Sequence, residues 1–133
     1  MVAKRVLSVG QCSADHASLA RAFRTHFAAE VIAADSAAEA LGRLESEAFD
    51  LVLINRVFDA DGASGLDFLR QLTQEPPQAN VPVMMVSNYE WAQQEAIQAG
   101  ARPGFGKSSL GQPAMLARVR KALGEASQES PAQ

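Results

Sequence analysis

Polar side chains or glycine follow four short apolar segments of the sequence. Gly10 and Gln11 follow the first segment, Asn55 ends another, and Ser87 and Lys107 follow two later ones. Ligands of open α/β sheets bind beyond the carboxyl ends of the strands, so we expect these residues to lie at one edge of a sheet. A hydroxyl and an amine can bind an anion, whereas an amide is neither a nucleophile nor an anion. The lack of a carboxylate in this set is therefore its main chemical feature.

The segments that precede these residues are typical of β-strands. Asp50–Asn55 contains an unbroken apolar run, the pattern of a strand that is buried on both faces of a parallel sheet. Proline cannot donate a hydrogen bond to a neighbouring strand, so the segment with Pro103 is expected at an edge. The predicted strands are Arg5–Val9, Val31–Ala34, Leu51–Ile54, Val81–Val86 and Ala101–Gly106.

Capping residues and apolar periodicity predict a helix after each strand. Ser13 is predicted to cap the first helix, and Ser36-x-x-Glu39 is a capping box for the second. The predicted helices extend from Ala14 to Ala28, from Ser36 to about Glu47, from Ser64 to the pair Pro76–Pro77, from Glu90 to Gln98 and from Pro113 to Leu123.

Strands and helices that alternate five times predict an α/β fold, a doubly wound five-stranded parallel sheet with helices on both faces. The flavodoxin-like order 2-1-3-4-5 places the two weakest strands, the second and the fifth, at the edges. Residues 1–124 form the predicted domain. Residues 125–133 are a polar tail without periodicity, which we expect to be disordered.

The composition is that of one globular domain and argues against several classes of protein. The chain has 133 residues, of which 47% are apolar and 20% are charged. A net charge of −3 argues against a nucleic-acid partner. The single cysteine, Cys12, excludes an internal disulfide framework, and no apolar run has the length of a signal core or a membrane span. We therefore expect a cytoplasmic protein that binds neither nucleic acid nor membrane.

Several stretches of the chain together resemble the receiver domain of bacterial two-component response regulators, over about residues 4–124. The stretches that carry the resemblance are Val6–Val9, Ser36–Leu41, Asp50–Asn55, Gly65–Leu69, Val81–Ser87, Gly100–Ala101 and Lys107. The resemblance implies a role in two-component signal transduction by phosphorelay. In that family an aspartate at the end of strand three accepts a phosphoryl group, and an acidic pair after strand one holds Mg²⁺. A Ser or Thr ends strand four, and a Lys ends strand five.

The sequence departs from the family at each of these carboxylate positions. Asn55 occupies the phosphoacceptor position, and Gly10 and Gln11 occupy those of the acidic pair. Mg²⁺ is usually held by one or two carboxylates, so we expect neither phosphorylation nor Mg²⁺ binding, and no cofactor. Ser87 and Lys107 keep the family's residue types. Without carboxylate partners, the Lys107 amine is expected to contact the Asn55 carbonyl oxygen or solvent.

The position of the family's switch residue has also changed. Typical members couple the hydroxyl at the end of strand four to an aromatic residue three positions before the lysine, and that position is Gly104 here. Alternation along the strand places the neighbouring Phe105 on the other face, where we expect it in the core. The loop from Arg56 to Ser64 is longer than usual, and the stretch from Ser87 to Gly100 is shorter.

Residues near the predicted edge have two interpretations each. We favour the interpretation in which Ser87 and Lys107 hydrogen-bond the loops across this edge of the sheet. The alternative is that they bind an anion. Asp59 and Asp61 could supply carboxylates to a cation, although a solvated turn is the simpler interpretation. Cys12 could be a redox thiol, but no cationic neighbour is evident in the sequence, and the role of a small buried hydrophobic residue is favoured.

Tyr89 and Trp91 are the only Tyr and Trp of the chain and lie near the start of the fourth helix. Two residues apart, they cannot both face the core, so at least one is expected to be exposed. Tyr and Trp are favoured at interfaces, and in receiver domains helix four, strand five and helix five form the usual partner surface. These two residues are either part of such a surface or, equally well, one of them has a core or staple role in the helix. His16 and His26 are expected to be partly exposed helix residues.

Together these features predict an atypical receiver, or pseudo-receiver, that is a binding protein and not an enzyme. We expect a stand-alone domain that acts through phosphorylation-independent contact with a signalling protein, such as a histidine kinase or another regulator, or with a second copy as a homodimer. The alternative is a sensor of an anion or small metabolite, bound at the edge by Gln11, Ser87, Lys107 and backbone N–H groups.

Overall fold

The computed structural model of the protein describes residues 3–74 and 81–124. The strands are β1 Arg5–Val9, β2 Glu30–Ala34, β3 Leu51–Asn55, β4 Val83–Val86 and β5 Arg102–Phe105. The helices are α1 Ser13–Phe27, α2 Ala37–Ser46, α3 Gly65–Gln74, α4 Glu90–Gln98 and α5 Pro113–Ala122, and a 3₁₀ helix spans Lys107–Ser109. The regular alternation of strands and helices confirms the predicted α/β class.

The strands form one parallel sheet in the order β2-β1-β3-β4-β5, as predicted. The two strands with the weakest sequence signal, β2 and β5, therefore lie at its edges. β4 begins at Val83 and not at Val81, because Pro82 contributes only its carbonyl, which accepts a hydrogen bond from the N–H of Val52 at 3.0 Å. The predicted helix end at Pro76–Pro77 and the tail from residue 125 lie outside the described residues.

Successive residues of the inner strands pack on opposite faces of the sheet. Leu7 and Val52 pack with α2, α3 and α4 on one face, while Val6 and Leu53 pack with α1 and α5 on the other. Phe105 is only 3% exposed in this second cluster, which confirms its predicted place in the core. Because both faces are covered, the inner strands need the unbroken apolar runs that the sequence shows.

The helix starts confirm one capping prediction and correct another. Ser36 Oγ accepts a hydrogen bond from the N–H of Glu39 at 3.1 Å, as the capping box predicts. The prediction for α1 was wrong, because Cys12 and not Ser13 is the N-cap. Cys12 has an extended backbone, and its Sγ accepts a hydrogen bond from the N–H of Asp15 at 3.4 Å. The thiol is half-buried in this capping role.

The helices carry polar residues on their outer faces. On α1, His16 is half-buried and His26 is exposed. Across residues 3–74 and 81–124, no helix combines the length and the apolar character that crossing a bilayer would need.

Candidate functional site

The carboxyl ends of β1, β3, β4 and β5 meet at one edge of the sheet, which we call the rim. A cleft of about 260 Å³ opens at the rim, and its lining residues are Asn55, Arg56, Val57, Val86, Ser87, Asn88, Tyr89 and Lys107. The structure thus brings Asn55, Ser87 and Lys107 together, and a hydrogen bond from Asn55 joins Gly10 to them. Gln11 is buried, and its amide has no hydrogen-bond partner among the described residues.

Asn55 is held at the end of β3 by two hydrogen bonds that a carboxylate cannot make. Its Nδ2 donates to the backbone carbonyl of Gly10 at 3.0 Å and to that of Val57 at 2.8 Å. An ionised carboxylate has no hydrogen to donate, so an aspartate in this place would direct its negative charge at two carbonyl oxygens. The local backbone is therefore arranged around an amide.

The side chain of Phe58 closes the space beside Gly10. Gly10 has a φ of +82°, which favours glycine, and a Cβ atom here would overlap the Phe58 ring. Phe58 is 1% exposed and packs edge-on against Phe68, with ring centroids 6.1 Å apart. Backbone hydrogen bonds of Phe58 with Gly62 and Ala63 hold its loop in this position. An acidic side chain at position 10 would have to displace the ring.

The donors at the rim do not fit Mg²⁺, the cation that the resemblance implies for typical members. Mg²⁺ requires near-octahedral oxygen ligands and is usually bound through carboxylates. Gly10, Gln11 and Asn55 supply no carboxylate. The carbonyl oxygens of Gly10 and Val57, which converge on one point, already accept hydrogen bonds from the Asn55 amide.

The two aspartates of the loop after β3 lie in a turn that is open to solvent. Asp61 accepts a hydrogen bond from the N–H of Ala63 at 3.0 Å, and Asp59 uses its own N–H to donate to the carbonyl of Gly10 at 2.9 Å. Both side chains are exposed. Over the described ranges, no three His, Cys, Asp or Glu residues are grouped as metal ligands. The arrangement matches the solvated-turn interpretation.

Lys107 forms an ion pair with Asp15 in the first turn of α1. The expectation that Lys107 contacts the Asn55 carbonyl oxygen or solvent was therefore wrong. Its Nζ lies 2.7 Å from Asp15 Oδ2, because α1 begins directly after the loop that follows β1 and so reaches the rim. The hydrogen bond from Lys107 holds the pKa of Asp15 below its ordinary value of 3.8, against the opposing effect of desolvation. The charge of Lys107 is thus balanced within the protein.

Ser87 stabilises the turn between β4 and α4. It is 8% exposed, and its Oγ accepts a hydrogen bond from the N–H of Tyr89 at 3.2 Å. Its N–H donates to the carbonyl of Phe105 at 3.0 Å, which joins the turn to β5. These contacts match the interpretation in which Ser87 hydrogen-bonds loops at the rim.

Most of the sequence, residues 12–120, matches the family model of the response regulator receiver domain. The chain belongs to this family. Receiver domains interact with kinases and other regulators in signalling. No curated protein sequence is significantly similar to this receiver.

Solved structures of response regulators share the fold of this receiver. A candidate response regulator from Chloroflexus aurantiacus has a TM-score of 0.80 at 21% identity, over 92% of this chain and 98% of that chain. NtrX from Brucella abortus has a TM-score of 0.75 at 20% identity, over 98% of this chain and 30% of that chain. The chemotaxis response regulator CheY4 of Vibrio cholerae has a TM-score of 0.69 at 17% identity, over 92% of this chain and 99% of that chain. At these identities the likeness shows the fold alone.

In this receiver the side chain of Gln93 on α4 joins β4 to β5. Its Nε2 donates to the carbonyls of Met85 and Ser87, both at 3.0 Å, and more weakly to that of Phe105 at 3.4 Å. Its Oε1 accepts a hydrogen bond from the N–H of Gly104 at 3.1 Å. The β4–β5 register is irregular at this point. One amide therefore hydrogen-bonds backbone groups of both strands and of the turn that follows β4.

Gly104, at the family's switch position, has no room for a side chain. A Cβ atom here would overlap the carbonyl oxygen of Met85 and would lie 3.0 Å from Oε1 of Gln93. The Gly104 carbonyl accepts a hydrogen bond from Nη1 of Arg118 on α5 at 2.7 Å. Side chains from two helices thus hold the backbone of β5 close to β4.

Tyr89, Trp91 and Arg56 form a surface group that we call the aromatic cluster. Tyr89 is 52% and Trp91 55% exposed, which excludes the alternative that they are core contacts. Their rings stack with centroids 5.6 Å apart and an interplanar angle of 20°. The Arg56 guanidinium carbon lies 5.1 Å from the Tyr89 centroid and 5.4 Å from that of Trp91. The cluster links the residue after Asn55 to the start of α4.

The roles of three residues that shape the site, Arg56, Phe58 and Gln93, were not predicted from the sequence. Phe58 had an available signal, because a large aromatic residue is unusual in a loop rich in Asp, Ala and Gly. Arg56 had a weaker one, its place directly after Asn55. Gln93 had none, since its role depends on a contact with Gly104, eleven residues later.

Proposed function

We propose that this protein is a pseudo-receiver, which is not phosphorylated, does not bind Mg²⁺ and acts by binding a signalling protein independently of phosphorylation. The observation that carries the proposal is the pair of hydrogen bonds from Asn55 Nδ2 to the carbonyls of Gly10 and Val57. An amide is not a nucleophile, so it cannot form an acyl phosphate. Its Nδ2 also donates to the carbonyl oxygens of Gly10 and Val57, so both oxygens already accept a hydrogen bond.

The contacts around Gly10 and Gly104 support the same proposal. Phe58 occupies the volume that an acidic side chain at position 10 would need. At the switch position, Gly104 has no side chain to move, and Gln93 holds its backbone N–H. The protein therefore lacks the side chains that phosphate chemistry and the switch response would need at these positions.

The aromatic cluster is the surface that we propose for the partner. Exposed Tyr and Trp are favoured at interfaces, and the stacked Arg56 holds them in one arrangement before binding. A histidine kinase, another regulator, or a second copy of the chain would suit a receiver. That the receiver works in the cytoplasm remains a prediction from the sequence.

We also propose that the protein is not an enzyme. The hydroxyl of Ser87 accepts a hydrogen bond from Tyr89, and the thiol of Cys12 caps α1. Within residues 3–74 and 81–124, neither group has a hydrogen bond to a histidine. Activation of a serine or cysteine nucleophile usually needs such a base.

Phosphorylation is tested by incubating the protein with acetyl phosphate and Mg²⁺ and measuring its intact mass. We expect the mass to be unchanged. A receiver with all its acidic residues, treated in parallel, verifies that the phosphodonor is active. A stoichiometric adduct on this protein would refute the proposal.

The partner surface is tested by capture from a lysate of the native host with the tagged protein, followed by mass spectrometry. We expect Trp91→Ala to lose the captured signalling protein. Ile97→Ala is the matched control, since Ile97 is also an exposed apolar residue of α4 but lies outside the aromatic cluster. Equal capture by wild type and Trp91→Ala would contradict the assignment of this surface.

The alternative function, sensing an anion or small metabolite, is favoured by the rim cleft, where Lys107 and Arg56 both line the wall. It is opposed by their existing contacts, because Lys107 pairs with Asp15 and Arg56 stacks on the aromatic cluster. A thermal-shift screen with nucleotides, phosphates and other small anions separates the two functions. Stabilisation by one of these compounds that is lost in Lys107→Ala would favour the sensor.

A further inference from the structure

The charges of this receiver are unevenly distributed along the chain. Residues 96–124 contain no Asp or Glu. Their basic residues are Arg102, Lys107, Arg118, Arg120 and Lys121. The rest of the chain holds all 15 acidic residues and only seven of the 12 basic ones. Because residues 96–124 include β5 and α5, these two elements carry a local excess of positive charge although the net charge is −3.

Three of these basic residues surround one cleft, which we call the β5–α5 cleft. It has a volume of about 310 Å³, and its lining residues are Arg102, Pro103, Arg118, Lys121 and Ala122. Arg102 begins β5, so the cleft lies toward the amino end of this strand, while the rim lies at its carboxyl end. Arg118 and Lys121 are three residues apart on α5 and therefore share one face of the helix.

Arg118 is positioned before any ligand arrives. Its Nη1 donates to the carbonyl of Gly104 at 2.7 Å, which fixes the guanidinium at the wall of the cleft. A guanidinium has five N–H donors in a planar fork that matches a carboxylate, so donors remain for a second partner. Fixing the side chain in advance lowers the entropy that a ligand must overcome.

Arg102 and Lys121 are exposed and lack internal counterions. In the part of the chain that the structure describes, neither side chain has an acidic group within ion-pair distance. Lys121 lies in the last turn of α5, where a cation is also favourable to the helix dipole. Arg102 has no such role, since it begins an edge strand.

We propose that the β5–α5 cleft binds an acidic stretch of a partner polypeptide. A carboxylate of the partner would bind the fork of Arg118, and further carboxylates would pair with Arg102 and Lys121. Pro103 and Ala122 supply an apolar surface for the side chain between them. The cleft is a second surface, apart from the aromatic cluster, and the proposal rests on the proposed function as a partner-binding receiver.

A polypeptide fits this cleft better than a nucleic acid does. The cleft offers three cations, and the rest of the protein has an excess of acidic residues that repels a long polyanion. A peptide with a few carboxylates and apolar residues between them matches the three cations of the cleft and the apolar surface of Pro103 and Ala122.

The test is an NMR titration of the ¹⁵N-labelled full chain with a short synthetic peptide of alternating Glu and Leu. We expect shifts at Arg102, Arg118 and Lys121, and an affinity that falls as salt is added. Arg102→Glu/Lys121→Glu should weaken binding by about tenfold or more, since it places like charges opposite the peptide. Arg21→Glu/Arg24→Glu changes the net charge equally on exposed sites of α1 and should have a much smaller effect.

Several results would overturn the proposal. They are an absence of shifts at the cleft, equal weakening by both double variants, equal binding of a peptide with Gln in place of Glu, and tighter binding of a DNA duplex to the cleft. Self-association through the cleft in sedimentation experiments would assign it to a second copy instead. None of these results depends on phosphate chemistry. A failed titration together with an unchanged mass in acetyl phosphate would therefore reject the cleft and leave the pseudo-receiver proposal intact.

Discussion

The rim and the β5–α5 cleft differ in how their polar groups are partnered. At the rim, Asn55 and Gln93 hydrogen-bond the backbone, and the charge of Lys107 is balanced by Asp15. At the cleft, the exposed charge of Arg102 has no acidic partner among the described residues. Apart from the buried Gln11 amide, which has no partner among the described residues, these rim groups are satisfied internally. At the cleft Arg118 is bound to the Gly104 carbonyl, whereas the charges of Arg102 and Lys121 remain available.

This difference indicates separate roles for the two regions. Groups that are satisfied internally stabilise the fold, and their removal leaves buried partners unpaired. Exposed charges contribute little to folding but can contribute to binding. Substitutions at the rim should therefore lower the free energy of unfolding, whereas substitutions of Arg102 and Lys121 at the cleft should change binding alone.

Gly10→Asp should have the largest effect on stability. The variant requires an unfavourable positive φ and must displace Phe58, so we expect a loss of about 3 kcal/mol or more. Urea unfolding measures the loss. Gly62→Asp is the matched control, because Gly62 has a φ of +72° but open space around it, and we expect about 1 kcal/mol there. Equal losses for the two variants would mean that Phe58 does not close the rim.

Gln93→Ala should be the next most destabilising change. Removing the amide leaves backbone groups of β4 and β5 without partners, which we expect to cost about 2 kcal/mol in urea unfolding. NMR shifts of the Gly104 and Phe105 amides should report the loosened junction. In contrast, Gln94→Ala should cost only a few tenths of a kcal/mol, because exposed Gln94 bonds only Glu90 within its own helix. A Gln93→Ala variant as stable as Gln94→Ala would contradict the role of Gln93.

Asn55→Asp should lower the unfolding free energy by about 1 to 2 kcal/mol at neutral pH. The new carboxylate would face the carbonyl oxygens of Gly10 and Val57, which now accept hydrogen bonds. Asn88→Asp is the matched control, since the Asn88 oxygen only accepts hydrogen bonds, from Ser108, and an aspartate can do the same. If Asn55→Asp were as stable as wild type, the rim would not be arranged around an amide.

Asp15→Asn should have a small, pH-dependent effect. The pair with Lys107 is partly exposed and screened by solvent, so we expect at most about 0.5 kcal/mol near neutral pH. The pKa of Asp15 is lowered in the folded state, so its contribution is present above the ordinary value of 3.8 and is lost as the pH falls through the lower folded value. Unfolding at neutral pH and well below pH 3.8 should show the gap between wild type and variant closing. A gap that widens in acid would contradict the pairing.

Arg102→Ala/Lys121→Ala should have the smallest effect on stability, within about 0.5 kcal/mol of wild type. Both residues are exposed and make no ion pair in the described part of the chain. Thermal unfolding checks this expectation. A loss as large as that of Gln93→Ala would show that the cleft stabilises the fold, and the comparison between the two regions would fail.

The fold could be predicted from the sequence because its signals are local. Apolar runs such as Leu51–Ile54 and the capping box at Ser36 depend on neighbouring residues, and the edge position of β5 follows from Pro103 alone. The identity of the rim residues followed in the same way from the strand ends. Predicting these features requires no knowledge of which residues far apart in the sequence are in contact.

The contacts that close the rim could not be predicted because they join distant residues. Lys107 pairs with Asp15, 92 residues earlier. Whether Asp15 lies within reach of Lys107 depends on where α1 begins. That start was mispredicted, since a cysteine is an uncommon N-cap and Ser13 stood beside it. The roles of Phe58 and Gln93 likewise depend on the close approach of Gly10 and Gly104, which only the structure shows.

The most direct test of the pseudo-receiver is an NMR titration of the wild-type protein with beryllofluoride and Mg²⁺, which together mimic a phosphorylated aspartate. If Asn55 and its surroundings hold neither a phosphoryl group nor the cation, the amide signals of Asn55, Ser87 and Lys107 will not move. Shifts around Asn55 that require both fluoride and Mg²⁺ would contradict the account.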